Sequence, residues 1–317
     1  MFRIGIFFDD GYNVFMKISI FEMPLDFGAS RHGSDMGPSA IKLAGLKKEL
    51  ESLGHEIEEY CSPMDLSGVD CENQGNPKAR YLLPIEKACN QLANAVEKSL
   101  DRGNFPLVLG GDHSIVLGSL AGFSAGCRKK GKVPGVLYID AHGDFNTEET
   151  TLSGNIHGMC MAASCGFGNP RLTELYTRER KIDPEKVCYI GVRDLDPGEK
   201  LLMKKAGVTV FTMTDIDRTG FPKVVEKALS ALKEKCDCVH MSFDIDVMDP
   251  SFAPGVGIQV PGGLSYREVL FLMEELNLSG IVSSAEVVEV NPVLDVRNQT
   301  AKMAVEIIAR LLGFKVF

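Results

Sequence analysis

The chain has 317 residues, 44% of them hydrophobic, with a formal charge of -9 and a pI near 5.3. That is enough apolar material for one large α/β domain or two ordinary ones, and the absence of a basic tract argues against a nucleic-acid partner. No run is long enough to span a membrane, and nine cysteines, an odd number scattered through apolar segments, suit a reducing, cytoplasmic compartment better than a disulfide framework.

The opening "MFRIGIFFDDGYNVF" has no small-residue cleavage site and reads as neither signal peptide nor anchor. Met16 begins "MKISIFEMPLD", a good first strand, so residues 1–15 read as an N-terminal extension and 16–317 as one domain. A strand is expected over 17–24, then a helix over 37–54 with Pro38 and Ser39 at its start and Gly54 at its stop. "HEIEEY" is a strand candidate. A long helix from about Pro84 to Asp101 leads into the strand "FPLVLGG", followed by Asp112, His113 and a glycine-punctuated helix to about Lys130. The later strands are "GVLYIDAH", "KVCYIGVR", "VTVFTM", "CVHMSFDIDV" and "GIVSSAEVVEV". Helices separate most of them, notably "FPKVVEKALSALKEK", "SYREVLFLMEEL" and the closing "NQTAKMAVEIIARLLG". Cys236 and Cys238, close to His240, read as a strand entry rather than a soft metal site. Continuous apolar, β-branched strands favour a mainly parallel sheet covered on both faces.

The chemistry-bearing residues share one kind of place. Asp112 and His113, then Asp140, His142 and Asp144, then Arg193, Asp194 and Asp196, then Asp244 and Asp246, and finally Glu289 each lie at or just past the carboxyl end of a predicted strand. Open parallel sheets place their ligand sites there. If strand geometry persists through "DAHGD", its period of two points Asp140, His142 and Asp144 the same way. Crowded carboxylates repel one another unless positive charge sits among them. His113, Asp140, His142, Asp144, Asp244 and Asp246 are hard or borderline ligands with no thiolate, a set that suits Mn or Mg. Six are too many for one ordinary ion and right for two that share carboxylates, which predicts metal-assisted hydrolysis of an unreactive carbon. Gly110 and Gly111 are expected to let the backbone turn tightly beside the ions. No phosphate-loop pattern surrounds them.

These residues carry a resemblance. "GGDHS", "DAHGDFN", "SGNIHG", "GVRDLDPGE", "SFDIDVMDPSFAP", "GGLSYRE" and "EVNP", with "PLDFG" and "GSDMGPSAI" near the start, resemble the ureohydrolases, the arginase and agmatinase family of binuclear manganese amidinohydrolases. The likeness runs from about Lys17 to Leu312. It implies a three-layer α/β/α fold with an eight-stranded, mainly parallel central sheet, two Mn2+ per subunit, and a homotrimer or homohexamer. It implies one ion on His113, Asp140, Asp144 and Asp244 and another on Asp140, His142, Asp244 and Asp246. His157 matches a proton-shuttling histidine, Glu289 the glutamate that pairs with a guanidinium, and Asp144 the group that relays the proton of the attacking water.

The same resemblance speaks to the substrate. Asn146, Ser153 and Asn155 match residues that bind an α-carboxylate, and Asp196 matches the carboxylate near an α-amine, with Asp194 and Glu199 as acidic neighbours. This favours L-arginine, split to L-ornithine and urea, over agmatine, 4-guanidinobutyrate or another ω-guanidino compound. One departure stands out. Where many arginases have a threonine and a proline, this chain has Ile258 and Gln259 in "PGVGIQVPGG".

Overall fold

The computed structural model describes residues 8–9 and 13–316, with side chains from Phe15 onward. Eight strands form the central sheet: β1 (Lys17–Met23), β2 (Glu56–Cys61), β3 (Phe105–Gly110), β4 (Pro134–Ile139), β5 (Val187–Val192), β6 (Thr209–Thr212), β7 (Cys238–Asp244) and β8 (Val282–Val288). Their order is β6-β5-β4-β7-β8-β3-β1-β2, and every neighbouring pair is parallel. The sheet is thus wholly parallel, as its long apolar strands anticipate. Most of residues 1–15 lie outside the described residues. Phe8–Asp9 and Asn13–Val14 pair with each other, antiparallel, in a separate two-stranded sheet.

Helices α1 (Gly37–Leu43) and α2 (Leu46–Ser52) follow β1, and α3 (Leu82–Asp101) follows β2. Helix α4 (Val116–Lys129) links β3 to β4. Helices α5 (Cys160–Ser164) and α6 (Pro170–Thr173) precede β5, and α7 (Pro197–Ala206) precedes β6. Helices α8 (Met213–Thr219), α9 (Phe221–Lys235), α10 (Tyr266–Ser279) and α11 (Gln299–Leu311) complete the chain. The single helix expected over 37–54 is broken. Gly45 adopts φ 100 and starts a second helix, which lets Ile41, Leu46 and Leu50 all reach one core.

Two cores flank the sheet, and alternate strand residues supply them. Leu107, Leu137, Ile190, Met241 and Ala285 join one core with residues of α9, α10 and α11. Val108, Tyr138, Tyr189 and Val288 join the other, packed with residues of α3, α4 and α5. This is the three-layer α/β/α arrangement, with the period-two sorting that a sheet buried on both faces requires. Among the described residues, no helix is long and apolar enough to cross a membrane.

The four central strands, β3, β8, β7 and β4, are neighbours in space although far apart in sequence. Their carboxyl ends carry His113, Glu289, Asp244 and Asp140. The crossover from β3 over β8 and β7 to β4 opens the place where doubly wound sheets hold ligands. Gly111 serves this junction by close approach rather than by a special turn, since a Cβ there would stand 2.0 Å from the carbonyl oxygen of Leu25.

Candidate active site

Strand β4 ends at Ile139, so "DAHGD" does not continue it. The backbone instead turns back on the carboxylates. Asp140 Oδ1 accepts the His142 N–H at 2.6 Å, and Asp144 takes φ 50, a left-handed conformation that aspartate tolerates better than most residues. The expectation of shared strand geometry is therefore wrong, although the convergence it was meant to explain is present. "DID" after β7 repeats the device, with Asp244 Oδ1 accepting the Asp246 N–H at 2.8 Å. In both loops one carboxylate oxygen fixes the turn and the other faces inward.

Inward-facing atoms gather around two imidazoles. His113 Nδ1 lies 3.0 Å from Asp140 Oδ2, 3.1 Å from Asp244 Oδ2 and 3.2 Å from Asp144 Oδ2. His142 Nδ1 lies 3.1 Å from Asp246 Oδ2 and 3.3 Å from Asp140 Oδ1. His113, Asp140 and Asp244 form one group able to hold a metal ion, and Asp140, His142 and Asp246 form a second, the donor atoms of each lying within 4.8 Å of one another. Asp140 belongs to both. Asp244, expected to serve both ions, falls in the first group only, and Asp144 meets that group through His113.

The electrostatics ask for added positive charge. Burial, and then repulsion from Asp246 and its neighbours, push the Asp140 and Asp244 carboxyls up. Burial alone would lower His113 and His142, but the surrounding carboxylates drive both well above the usual histidine range. With protein atoms alone, imidazolium charge has to balance the nest. Among the described residues, buried Asp140 Oδ2 has no hydrogen-bond partner beyond its 3.0 Å approach to His113 Nδ1. A carboxylate oxygen left short of donors in a crowded anionic nest fits a hard divalent cation. Cys160 Sγ stands 3.7 Å from Asp144 Oδ2, but burial, and then the charge of Asp144, push its thiol well up, so it offers no thiolate.

Glu289 lies just past β8 at φ 64, with its N–H donated to Gly111 O at 2.7 Å. Its Oε1 accepts the His113 N–H at 2.9 Å and lies 3.3 Å from His157 Nδ1. Burial alone would lower His157, but the bond to and charge of Glu289 raise it to about 9. Both line a cavity of about 420 Å³ with Ala29, Ser30, Arg31, Asn155 and the Gly257–Gln259 segment.

The predicted substrate residues are less uniform. Asn155 lines the cavity, but its amide is engaged by Ser30 Oγ at 2.9 and 3.0 Å. Asn146 donates to Asp196 Oδ2 at 3.0 Å, and Asp196 caps α7. Ser153 is exposed and accepts the Asn155 N–H at 3.2 Å. Asp194 is exposed. Glu199 is buried, with its carboxylate taken by the N–H groups of Phe145 and Asp196 at 2.8 and 3.1 Å, and burial pushes it up to about 7. It braces the loop that carries Asn146 rather than facing the cavity.

Residues 16–313 match the model of the arginase family. The chain belongs to this family. It is 48% identical to the arginase of Bacillus caldovelox over 94% of this chain and 98% of that protein. The solved structure of that arginase matches with a TM-score of 0.90 over 95% of this chain and all of that one. It is also 46% identical to the arginase of Bacillus subtilis, over 94% of this chain and 98% of that protein. The Entamoeba histolytica arginase, solved in complex with L-ornithine, is 32% identical with a TM-score of 0.86, over 95% of this chain and 99% of that one.

Several site residues of this arginase-family chain escaped the sequence reading. Ser30 and Arg31 reach the cavity from the loop after β1, and Arg31 donates to Gly257 O at 2.8 Å, tying that loop to the segment that carries Ile258. Tyr138 stacks on His113, with ring centroids 4.6 Å apart, and donates its hydroxyl to Asp144 Oδ2 at 2.7 Å. Arg193, which the sequence does place at the carboxyl end of β5, has a role it does not reveal: it donates to the carbonyls of Asp246, Val247 and Val260, pinning the "DID" loop from behind. A polar residue repeated every second position inside the apolar strands β7 and β8 was the available signal for two more, Ser242 and Glu286.

Proposed function

We propose that this chain hydrolyses L-arginine to L-ornithine and urea with two Mn2+ ions. The observation that carries the reading is the convergence of His113, Asp140, Asp244, His142 and Asp246 on two adjoining groups, with Asp144 drawn in through His113, next to a cavity of about 420 Å³ lined by Glu289 and His157. The 48% identity to an arginase adds to it. His113, Asp140, Asp144 and Asp244 would hold one ion, and Asp140, His142, Asp244 and Asp246 the other. When bound, the two cations supply Lewis acidity that activates water for attack near neutral pH and steadies the charge it delivers.

The protein's own groups do the rest. Glu289 pairs with the guanidinium and aims its resonance-stabilised carbon toward the nest. Its position is preset by the His113 N–H and by His157. Asp144 takes a proton from the attacking water and passes it toward the leaving nitrogen. Its carboxylate is oriented by Tyr138, and burial, which would raise it, is outweighed by His113 and His157, which hold it low. His157 moves protons between site and solvent. Asn146, Ser153 and Asn155 read the α-carboxylate and Asp196 the α-amine, while Asp194 adds to the acidic rim and Glu199 braces from behind. The chain works in the cytoplasm, where its nine free cysteines stay reduced, as a trimer or hexamer.

A second reading, an amidinohydrolase for another ω-guanidino acid, draws on Ile258 and Gln259, which line the cavity. Urea release from L-arginine, agmatine and 4-guanidinobutyrate, measured side by side after manganese loading, decides between them. Arginine is expected to lead by a wide margin in kcat/KM. Preference for either of the other two would overturn the arginine assignment.

A further inference from the structure

Behind His113 lies a file of polar side chains that neither hydrolysis nor cation binding uses directly. His240, Ser242, Ser284 and Glu286 project from β7 and β8, and Ser119 comes from α4. All five have no solvent exposure. Successive same-side positions on the strands place His240 beside Ser242, and Ser284 beside Glu286, in the layer under α4. The file is connected. Ser242 Oγ donates to Glu286 Oε1 at 2.6 Å, Ser119 Oγ donates to Glu286 Oε2, and His240 Nε2 stands 3.6 Å from Glu286 Oε1. At its near end, Ser242 Oγ is 2.7 Å from His113 Nε2.

A carboxylate in a dry interior is costly unless it gains something in return. Here the two serine hydroxyls and the adjacent His240 ring meet it. The return lies in the direction these bonds impose. An ionised carboxylate only accepts, so the Ser242 hydroxyl spends its one proton on Glu286. Its oxygen then has only lone pairs to offer His113, so in the neutral form that binds a cation the ring carries its one proton on Nε2. The lone pair is left on Nδ1, the atom around which Asp140, Asp144 and Asp244 converge.

We infer that Glu286, acting through Ser242, is a positioning residue that fixes His113 in the tautomer and orientation needed to bind a divalent cation through Nδ1. A neutral amide at position 286 would present an N–H as readily as a carbonyl, and the bond to Ser242 would lose its fixed sense. The ring would then meet the cation in the wrong tautomer for part of the time. Outer hydrogen-bond partners of metal-binding histidines typically contribute about 10–100-fold to metal affinity. The inference rests on the two-cation reading, and its test separates the two.

The experiment compares wild type, Glu286→Gln and Ser242→Ala by equilibrium dialysis against a manganese series, with bound metal counted by elemental analysis. Ser119→Ala, which removes a donor that does not touch His113, is the internal comparison. Circular dichroism of the chelated proteins establishes that each variant is folded. Electron paramagnetic resonance reports whether the bound ions are spin-coupled neighbours. Glu286→Gln and Ser242→Ala are expected to weaken one of the two manganese equivalents roughly 10–100-fold, with loss of the coupled signal at concentrations where wild type retains it. Ser119→Ala is expected to shift the same equivalent less. Should Glu286→Gln fail to fold, Ser242→Ala carries the test alone, since it deletes a single hydroxyl. Two equivalents bound with wild-type affinity in folded Ser242→Ala, or in folded Glu286→Gln, would overturn the inference. Wild type that saturates at one equivalent would overturn the two-cation reading on which it stands.

Discussion

His113 and His142 face the same carboxylates and are held in opposite ways. The His113 side chain is 1% exposed, stacked on Tyr138 and tied through Nε2 to Ser242, with its own N–H on Glu289. The His142 side chain is 19% exposed, and among the described residues its Nε2 has no hydrogen-bond partner and its N–H is held only by the neighbouring Asp140. One half of the nest is thus built by the sheet and α4. The other is built by a turn that its own carboxylates shape. Preorganisation costs folding energy at one imidazole and leaves the other to take its final orientation from what Nδ1 meets.

Asp140 is assigned to both ions, as is Asp244, and among the described residues it also belongs to both groups of converging donor atoms, so its removal gives the largest effect. Asp140→Ala is expected to lower manganese content below one per subunit and turnover by roughly 10³-fold or more, the scale set by losing several kcal/mol of charge stabilisation. His113→Ala and His142→Ala should each weaken chiefly one ion. Elemental analysis alongside urea release checks this. Wild-type protein that is fully active with a single equivalent would remove the distinction between halves altogether.

His157 tests the open side without touching the nest. His157→Asn is expected to lower kcat about 10²-fold at neutral pH, the low end for a general acid–base group that water can partly replace, with manganese content unchanged. A pH–rate profile identical to that of wild type would strip His157 of its proton-transfer role and leave it as a partner for Glu289.

Much of this was legible in the sequence. The strands that carry the site were readable because apolar, β-branched runs end in polar clusters. Five of the six cation-binding candidates sit two residues apart, in "DAHGD" and "DID", where local spacing carries the information; His113 stands alone in "GGDHS". The break at Gly45 was not readable from the start and stop signals, because Pro38, Ser39 and Gly54 bracket the whole stretch as they would one helix. Nor was Ser30, nor the partner of Ser242, since Asn155 and His113 lie 125 and 129 residues from them. These contacts exist only once the parallel sheet brings the carboxyl ends of β1 and β4, and of β3 and β7, to one site. Glu286 shows the limit most clearly, since its alternation with Ser284 in "VSSAEVVEV" marks a polar residue inside a strand without saying what it meets. The structure sets Glu286 inside the α4 layer and Glu289 in the lining of the cavity.

A smaller and more selective effect is expected at the rim. Asp196 caps α7 and accepts from Asn146 outside both cation groups, so Asp196→Ala should leave manganese content intact. It should lower kcat/KM for L-arginine roughly 10–100-fold, a loss on the scale of truncating one partner of a hydrogen-bonded charge pair, and barely affect 4-guanidinobutyrate, which has no α-ammonium. Measured at matched metal occupancy, equal losses on both substrates would make Asp196 a brace for α7 instead.

The smallest effect bears most directly on the two halves, because it is read without metal. In chelated protein, His113→Ala removes a ring packed on Tyr138 and leaves Ser242 without its neighbour in a dry layer. It also leaves Asp140, Asp144 and Asp244 facing one another with no imidazole among them. Leaving a buried polar group unpaired costs about 1–3 kcal/mol, which in a chain of this length lowers Tm by roughly 2–5 °C. His142→Ala deletes a ring whose far nitrogen had no partner and whose position solvent can reach, so the water that replaces it screens Asp140 and Asp246. Its Tm without metal should stay within about 1 °C of wild type, as for most partly exposed substitutions. Differential scanning calorimetry of both variants, with chelator and then with added manganese, measures the contrast. Equal Tm losses without metal would mean that the sheet supports both imidazoles alike, and that the asymmetry seen in their hydrogen bonds has no energetic weight.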